Sequence, residues 1–272
     1  ADAFETARRF LSYLPSSVHE LPERVVGGDS PVRREESLLS IVPTDGKTPY
    51  KPRKIVEASV DTGSFFEIGH DWGRGIVCGF ARLDGYPVGI LAGDPFFLDG
   101  AWTADVCDKV TRHMDLCSQF HLPVVHFVDC PGFAVGVKAE TAGVTRAGVR
   151  AMTAIYQADV PVCSVVIRKA YGLAGSAMMN QSRTKWRYCW PSGDWGSLPI
   201  AGGLEVAYKS ELEAAADPEA ELAAIRARLD QVTSPFRSAE RFNVEDIIDP
   251  RDTRPLLCEY AELAWRRLAS EA

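Results

Sequence analysis

The chain has 272 residues, 46% of them hydrophobic and 25% charged, which is the make-up of an ordinary globular protein with ample volume for a buried core. A net charge of -7 without an extended basic cluster argues against nucleic acid as the main partner. No run of about 18 apolar residues marks a membrane span, and no signal-peptide pattern opens the chain.

In chain order, "AFETARRFLSYL" predicts a helix over 3–14, with Phe4, Ala7, Phe10, Leu11 and Leu14 on one face. Residues 15–49 are rich in Pro, Gly, Ser and charge and read as a linker or surface arm. "KPRKIVEASV" predicts a short helix and "GSFFEIGHDW" a strand. "GIVCGFARL" and "YPVGILA" flank Asp84-Gly85, the strongest hairpin signal in the chain. The pattern then alternates: helix 103–120, the β-branched strand "PVVHFVD", a Pro/Gly loop, helix 139–158, and the strand "PVCSVVI". Such alternation implies βαβ crossovers and a sheet covered on both faces. The tail reads as two helices broken at Asp217-Pro218 and a closing helix.

Three strand-to-helix turns carry small residues where backbone N–H groups gather: Asp99-Gly100-Ala101, Cys130-Pro131-Gly132-Phe133, and Tyr171-Gly172-Leu173-Ala174-Gly175. These are the parts of an oxyanion hole, although small residues at a helix start also serve packing or capping. Asp129 reads as a cap of the turn after it, and His126 as a core histidine. Arg168 and Lys169 suit either an anionic ligand or a structural ion pair. Trp186, Tyr188, Trp190 and Trp195 suit core packing ahead of a pocket wall. The seven cysteines form no CxxC pair and read as buried cytosolic thiols. The five histidines show no zinc-ligand spacing, so no metal is expected. Nucleophile-elbow, P-loop, HExxH and dinucleotide-binding motifs are missing, and periodicity by itself selects no reaction.

The blocks "RRFLSYLPSS", "PYKPRKIVEASVDTGSFFEIG", "IVCGFARLDGYPVGILAGDP", "DGAWTADVCDKVTR", "LPVVHFVDCPGFAVG", "VPVCSVVIRKAYGLAG" and "VEDIIDPRDTR" run in order almost end to end. Together they resemble the C-terminal half of the carboxyltransferase (beta) subunit of biotin-dependent acyl-CoA carboxylases, the propionyl-CoA and methylcrotonyl-CoA carboxylase type. The resemblance implies an α/β, crotonase-like (ClpP/crotonase) fold, a spiral of ββα repeats with outer helices. It divides the chain into a linker helix and connecting arm, 1–50, and the C-terminal carboxyltransferase domain, 51–272. The N-terminal half of the family is then absent, and a start at Ala1 rather than Met suits a fragment or a processed chain. The implied chemistry is carboxyl transfer: carboxybiotin releases CO₂, the biotin enolate takes a proton from the carbon α to the thioester, and the substrate enolate attacks CO₂. The implied cofactor is biotin on a carrier domain, with acyl-CoA as substrate. The implied partners are the N-terminal half, neighbouring subunits of a homo-oligomer (a hexamer in the intact enzyme), and biotin carboxylase with its carrier. The compartment would be the cytoplasm, or the mitochondrial matrix in a eukaryote.

By the same resemblance, the backbone amides of Gly100 and Ala101 form the oxyanion hole, and Phe133, Tyr171 and Gly172 line the biotin slot. Thr103 stands where propionyl-type enzymes carry an acidic residue that influences acyl choice, so an acyl group other than plain propionyl is expected. The chain also reads Gly172-Leu173-Ala174-Gly175 where the family often has Gly-Gly-Ala-Tyr, and residues 180–198 diverge from the usual block apart from Trp190-Pro191. Two other readings stay open: a biotin-dependent acyl-CoA decarboxylase subunit, and a non-catalytic assembly half.

Overall fold

The computed structural model describes residues 2–177, 186–196, 204 and 208–271. Among these, eight strands form one sheet: β1 Phe66–Ile68, β2 Ile76–Leu83, β3 Tyr86–Gly93, β4 Val124–Cys130, β5 Val162–Tyr171, β6 Trp186–Cys189, β7 Asp194–Gly196 and β8 Asp246–Ile247. The order is β1-β2-β3-β4-β5-β6-β8, with β7 pairing β5 off that path. β1, β2 and β3 pair antiparallel; from β3 to β8 the pairing is parallel. The helices are α1 Asp2–Leu11, α2 Pro52–Ser59, α3 Ala104–Gln119, α4 Val137–Thr141, α5 Val144–Gln157, α6 Gly172–Ala177, α7 Lys209–Ala214, α8 Pro218–Thr233, α9 Pro235–Glu240 and α10 Thr253–Glu271.

Asp84-Gly85 makes the expected two-residue hairpin, both residues at positive φ (48° and 80°). The Asp61 carboxylate accepts both turn amides, at 3.0 and 2.8 Å. Side chains then alternate between two layers. Ile76, Cys78 and Phe80 join a core built with Val106, Val110 and Met114 of α3 and Ala147, Ala151 and Ile155 of α5. Val77 and Ala81 face the opposite core, with Ile55 and Val56 of α2 and Leu257, Tyr260 and Ala264 of α10. Each large aliphatic side chain buried here contributes about 1.5–3 kcal/mol, so these two layers, more than any turn, hold the sheet in place between them. Trp186, Tyr188 and Trp190 pack in or against the second layer, and Trp195 packs on a smaller cluster around Val128 and Val166.

Three expectations are revised. The helix read over 139–158 is two helices, because Gly143 takes a left-handed conformation (φ 73°) and stops the first. The first helix ends at Leu11 and leaves Phe4 and Leu11 exposed, while Tyr13, just beyond it, is the buried residue. The arm of residues 15–49 is packed on the domain: Leu38 is buried in the second layer, and Arg33 donates to Asp29 and to the carbonyls of Ala58 and Val60. Irregular spacing hides such burial from a periodicity reading. The tail breaks at Asp217-Pro218 as read, with Asp217 capping α8 through the amides of Glu219 and Ala220. Residues 180–185 and 197–198 of the divergent block lie outside the described residues.

Candidate active site

The three small-residue turns meet at the carboxyl ends of β3, β4 and β5, where ligands bind in open α/β sheets. Glycine is required at the contacts between them. A Cβ on Gly100 would stand 2.9 Å from the Asp129 carbonyl oxygen, and one on Gly175 would stand 2.6 Å from the Ala170 carbonyl carbon and 3.1 Å from the Cys130 oxygen. Backbone bonds stitch the first two turns together: Trp102 N–H donates to Gly132 O at 3.0 Å and Ala134 N–H to Trp102 O at 2.9 Å.

The first turn is closed upon itself. Leu98, Asp99 and Gly100 run consecutively at positive φ (49°, 56° and 82°). Gly100 N–H donates to Phe97 O and Ala101 N–H to Leu98 O, both at 2.9 Å. The oxyanion pair assigned by resemblance is therefore occupied within its own turn, through turn hydrogen bonds and not through the sheet ladder. Thr103, which the resemblance ties to acyl choice, is the N-cap of α3; its hydroxyl accepts from Val106 N–H at 3.3 Å. It lines a cavity of about 360 Å³ together with Ala101, Trp72, Arg74 and Phe97, and the Arg74 guanidinium stacks 3.7 Å from the Phe97 ring centroid.

The second turn brings Phe133 to the site, yet its ring is spent on packing. It meets Trp102 edge-on with centroids 6.5 Å apart, and a Cβ on Gly148 of α5 would stand 2.7 Å from its carbons. Beside it, Gly132 (φ 121°) faces space: the Tyr171 oxygen, at 3.9 Å, is what an added Cβ would meet. Tyr171 is buried at the end of β5, its hydroxyl donating to Asp194.

The third turn differs from the first. Gly172 turns the chain at φ 57°, and Leu173 and Ala174 follow at the opening of α6. Amides in the first turn of a helix have no carbonyl four residues back to receive them. Leu173 carries an exposed side chain and Ala174 is buried, so the backbone here lies at the boundary between solvent and core. Amides at this position are candidates for donation to a ligand, whereas those of Gly100 and Ala101 are taken up within the first turn.

Beneath the turns lies a buried charged cluster. The Asp129 carboxylate accepts from Tyr50 Oη at 2.8 Å, from Lys169 N–H at 3.0 Å, and from Arg168 Nε at 3.2 and 3.4 Å. It caps nothing in the following turn, which corrects the expectation from sequence; its bonds run to residues 79 and 39–40 positions away, beyond the reach of local patterning. Burial pushes the Asp129 carboxyl above its ordinary range, against the pull of Arg168 and the bound donors. Burial and the neighbouring carboxylate likewise push the Tyr50 phenol up. Arg168 Nη1 donates to Thr48 O at 3.0 Å, and the Lys169 ammonium pairs with Asp99 of the first turn. Arg168 and Lys169 thus form structural ion pairs while also lining a cavity of about 530 Å³ with Trp190, Ser192 and Val42. His126 is a core histidine of β4, and all seven cysteines are buried and free. Among the described residues no group of three or more His, Cys, Asp or Glu side chains is placed to hold a metal, and no helix is long and apolar enough to cross a membrane.

Comparison with known proteins adds the following. A family model described as the carboxyl transferase domain matches residues 1–271. The chain is 37% identical over 256 residues to the carboxyltransferase subunit of propionyl-CoA carboxylase from Haloferax mediterranei, covering 93% of this chain and 49% of that one. It is 34% identical over 268 residues to the alpha subunit of methylmalonyl-CoA decarboxylase from Veillonella parvula, covering 98% and 51%. The solved structure of the transcarboxylase 12S hexamer, with methylmalonyl-coenzyme A and methylmalonic acid bound, superposes with a TM-score of 0.88 at 33% identity over 96% of this chain and 50% of that one. The beta subunit of geranyl-CoA carboxylase from P. aeruginosa gives 0.77 at 27%, over 97% and 50%. The shared fold is the crotonase-like α/β fold, and the chain spans about half the length of the relatives it matches.

Proposed function

The chain belongs to the carboxyl transferase domain family, and from that premise we propose that it forms the biotin-side half of an acyl-CoA carboxyltransferase site. The observation that carries the reading is the third turn: first-turn amides at Leu173 and Ala174, set beside the open space over Gly132 at the carboxyl ends of β4 and β5. Biotin, when bound, supplies the carboxyl group that is moved. The chain's own contribution is electrostatic. Two fixed N–H groups stabilise an oxygen that gains negative charge, and they need no reorganisation as it does so. This also explains a site without a dominant side-chain base among the described residues.

Gly172 fits the slot role through its backbone, since its positive φ aims the following amides. Tyr171 and Phe133 act as walls: one fixed by Asp194, the other by Gly148 and Trp102. Gly100 and Ala101 would act as donors only by giving up the bonds to Phe97 O and Leu98 O, so the third turn is the better donor pair. Thr103 influences acyl choice through the cavity it shares with Trp72 and Arg74. A second, N-terminal half and neighbouring copies complete the acyl-CoA side, in a cytoplasmic or mitochondrial-matrix enzyme supplied by a biotin carrier. The similarity to a decarboxylase alpha subunit favours a second reading, the reverse reaction, which the same donors serve equally.

The test is carboxyl transfer between carboxybiotin and a panel of acyl-CoAs by the assembled enzyme containing this chain. Transfer, with propionyl-CoA not the preferred acceptor, supports the reading. Release of CO₂ from a carboxyacyl-CoA with no forward transfer selects the decarboxylase. Neither activity sinks both.

A further inference from the structure

We propose that Asp129 is a positioning residue for carboxyl transfer, one that sets the α6 donors by holding an irregularity in β5; this rests on the function proposed above. β4 and β5 pair in regular register up to Val128 opposite Val166, yet Cys130 stands opposite Ala170. Two residues of β4 are thus matched by four of β5. The surplus on β5 falls on Ile167, Arg168 and Lys169, facing Asp129. Irregularities of this kind re-aim a strand end, and they leave backbone groups without a ladder partner.

Asp129 takes up what the ladder drops. Its Oδ1 accepts the Lys169 amide at 3.0 Å, and its Oδ2 accepts the Tyr50 hydroxyl at 2.8 Å. Arg168 closes the group: Nε reaches both oxygens, and Nη2 lies 3.1 Å from Oδ2 without the alignment of a hydrogen bond. The Asp129 backbone is gripped as closely. A Cβ on Gly93 would stand 2.2 Å from its carbonyl oxygen, and one on Gly100 2.9 Å from it. The end of β5 therefore has one seat. It leads within three residues to Gly172 and the amides of Leu173 and Ala174.

Stability alone is a poor reason for such a group. Desolvating charges offsets most of what pairing returns, and apolar residues of similar volume often serve as well. Tyr50, Asp129 and Arg168 are each at least 95% buried, at 5%, 1% and 3% exposure. What the carboxylate supplies, and neither an apolar side chain nor an amide does, is two acceptor oxygens at once, one for the Lys169 amide and one for the Tyr50 hydroxyl. Tyr50 and the Thr48 carbonyl come from the arm, so that segment belongs to the site's support and is more than a tether.

The experiment compares wild type, Asp129→Asn and Tyr50→Phe in the assembled enzyme, measuring kcat, KM and thermal unfolding. Misplacing a donor by about 1 Å costs on the order of 10²-fold, so Asp129→Asn is expected to lower kcat about 100-fold with both KM values within about threefold. Tyr50→Phe removes one oxygen and keeps the ring; its expected loss is roughly fivefold in kcat, again with KM unchanged. A purely structural role would instead lower Tm while leaving kcat per folded site intact, and that outcome overturns the inference. Unchanged kcat in folded Tyr50→Phe overturns it also, even where Asp129→Asn does not fold. Wild-type enzyme without carboxyl transfer in either direction removes the underlying function and this inference together; wild-type transfer with unaffected variants removes this inference alone.

Discussion

Two turns of this molecule look alike in sequence and differ as chemistry. Asp99-Gly100-Ala101 and Gly172-Leu173-Ala174 both follow a strand, both use glycine at positive φ, and both lead toward a helix. In the first, a run of three left-handed residues folds the amides back onto Phe97 and Leu98. In the second, one left-handed glycine opens directly onto helix geometry, and the leading amides stay without an intrahelical acceptor. Small side chains permit a backbone to approach a ligand; the hydrogen-bond ledger decides whether it has anything to donate. The two sides should therefore respond differently to substitution, the first in stability and the second in rate.

The largest effect is expected on the second side. Leu173→Pro deletes one first-turn amide at a position where proline is well tolerated and the lost side chain is exposed. Carboxyl transfer in a standard assay should fall about 10²–10³-fold, the usual loss for one oxyanion donor, with little change in Tm. Comparable losses of rate and of stability would erase the contrast.

The first side should show itself in acid. His113 of α3 is buried behind β2, and burial, helped by nearby Lys109, lowers its pKa to about 4. The unfolded chain takes up that proton near 6.5, so unfolding gains a proton between about 6.5 and 4, and stability declines as pH falls through that window. The loss should reach roughly 3 kcal/mol at its lower end, read by denaturant titration at stepped pH. A flat stability over that window for wild type, or no flattening in His113→Gln, would count against it.

The smallest effect concerns Thr103. Thr103→Ala removes the cap of α3 and should cost about 1 kcal/mol in unfolding free energy. If Thr103 also shapes the acyl cavity, the ratio of kcat/KM between two acyl-CoAs should shift while the common rate holds. A stability loss with an unchanged acyl ratio would leave Thr103 as a cap alone.

Much of the fold was legible because it rests on local signals. Asp84-Gly85 announced its hairpin, the β-branched runs announced β4 and β5, and Asp217-Pro218 announced the break before α8. Gly143 was legible too, but a strong helical period on both sides masked it. The site was only half legible. All three turns were visible as glycine-bearing strand ends, yet nothing local shows that the Gly100 and Ala101 amides are consumed within their own turn. Asp129 was misread for a related reason: its partners Tyr50, Arg168 and Lys169 come from distant parts of the chain, and only the folded sheet brings them to one carboxylate.

The most direct measurement sets the two turns against each other. Ala101 already has φ -63° and ψ 139°, angles that proline adopts, so Ala101→Pro removes one amide from the first turn as Leu173→Pro does from the second. Its lost bond to Leu98 O is worth about 1 kcal/mol of stability. Measured side by side in the assembled enzyme, Leu173→Pro should reduce kcat at least about tenfold more than Ala101→Pro does. An Ala101→Pro enzyme that is folded and as inactive as Leu173→Pro, or more so, would return the oxyanion role to Gly100 and Ala101 and contradict the account.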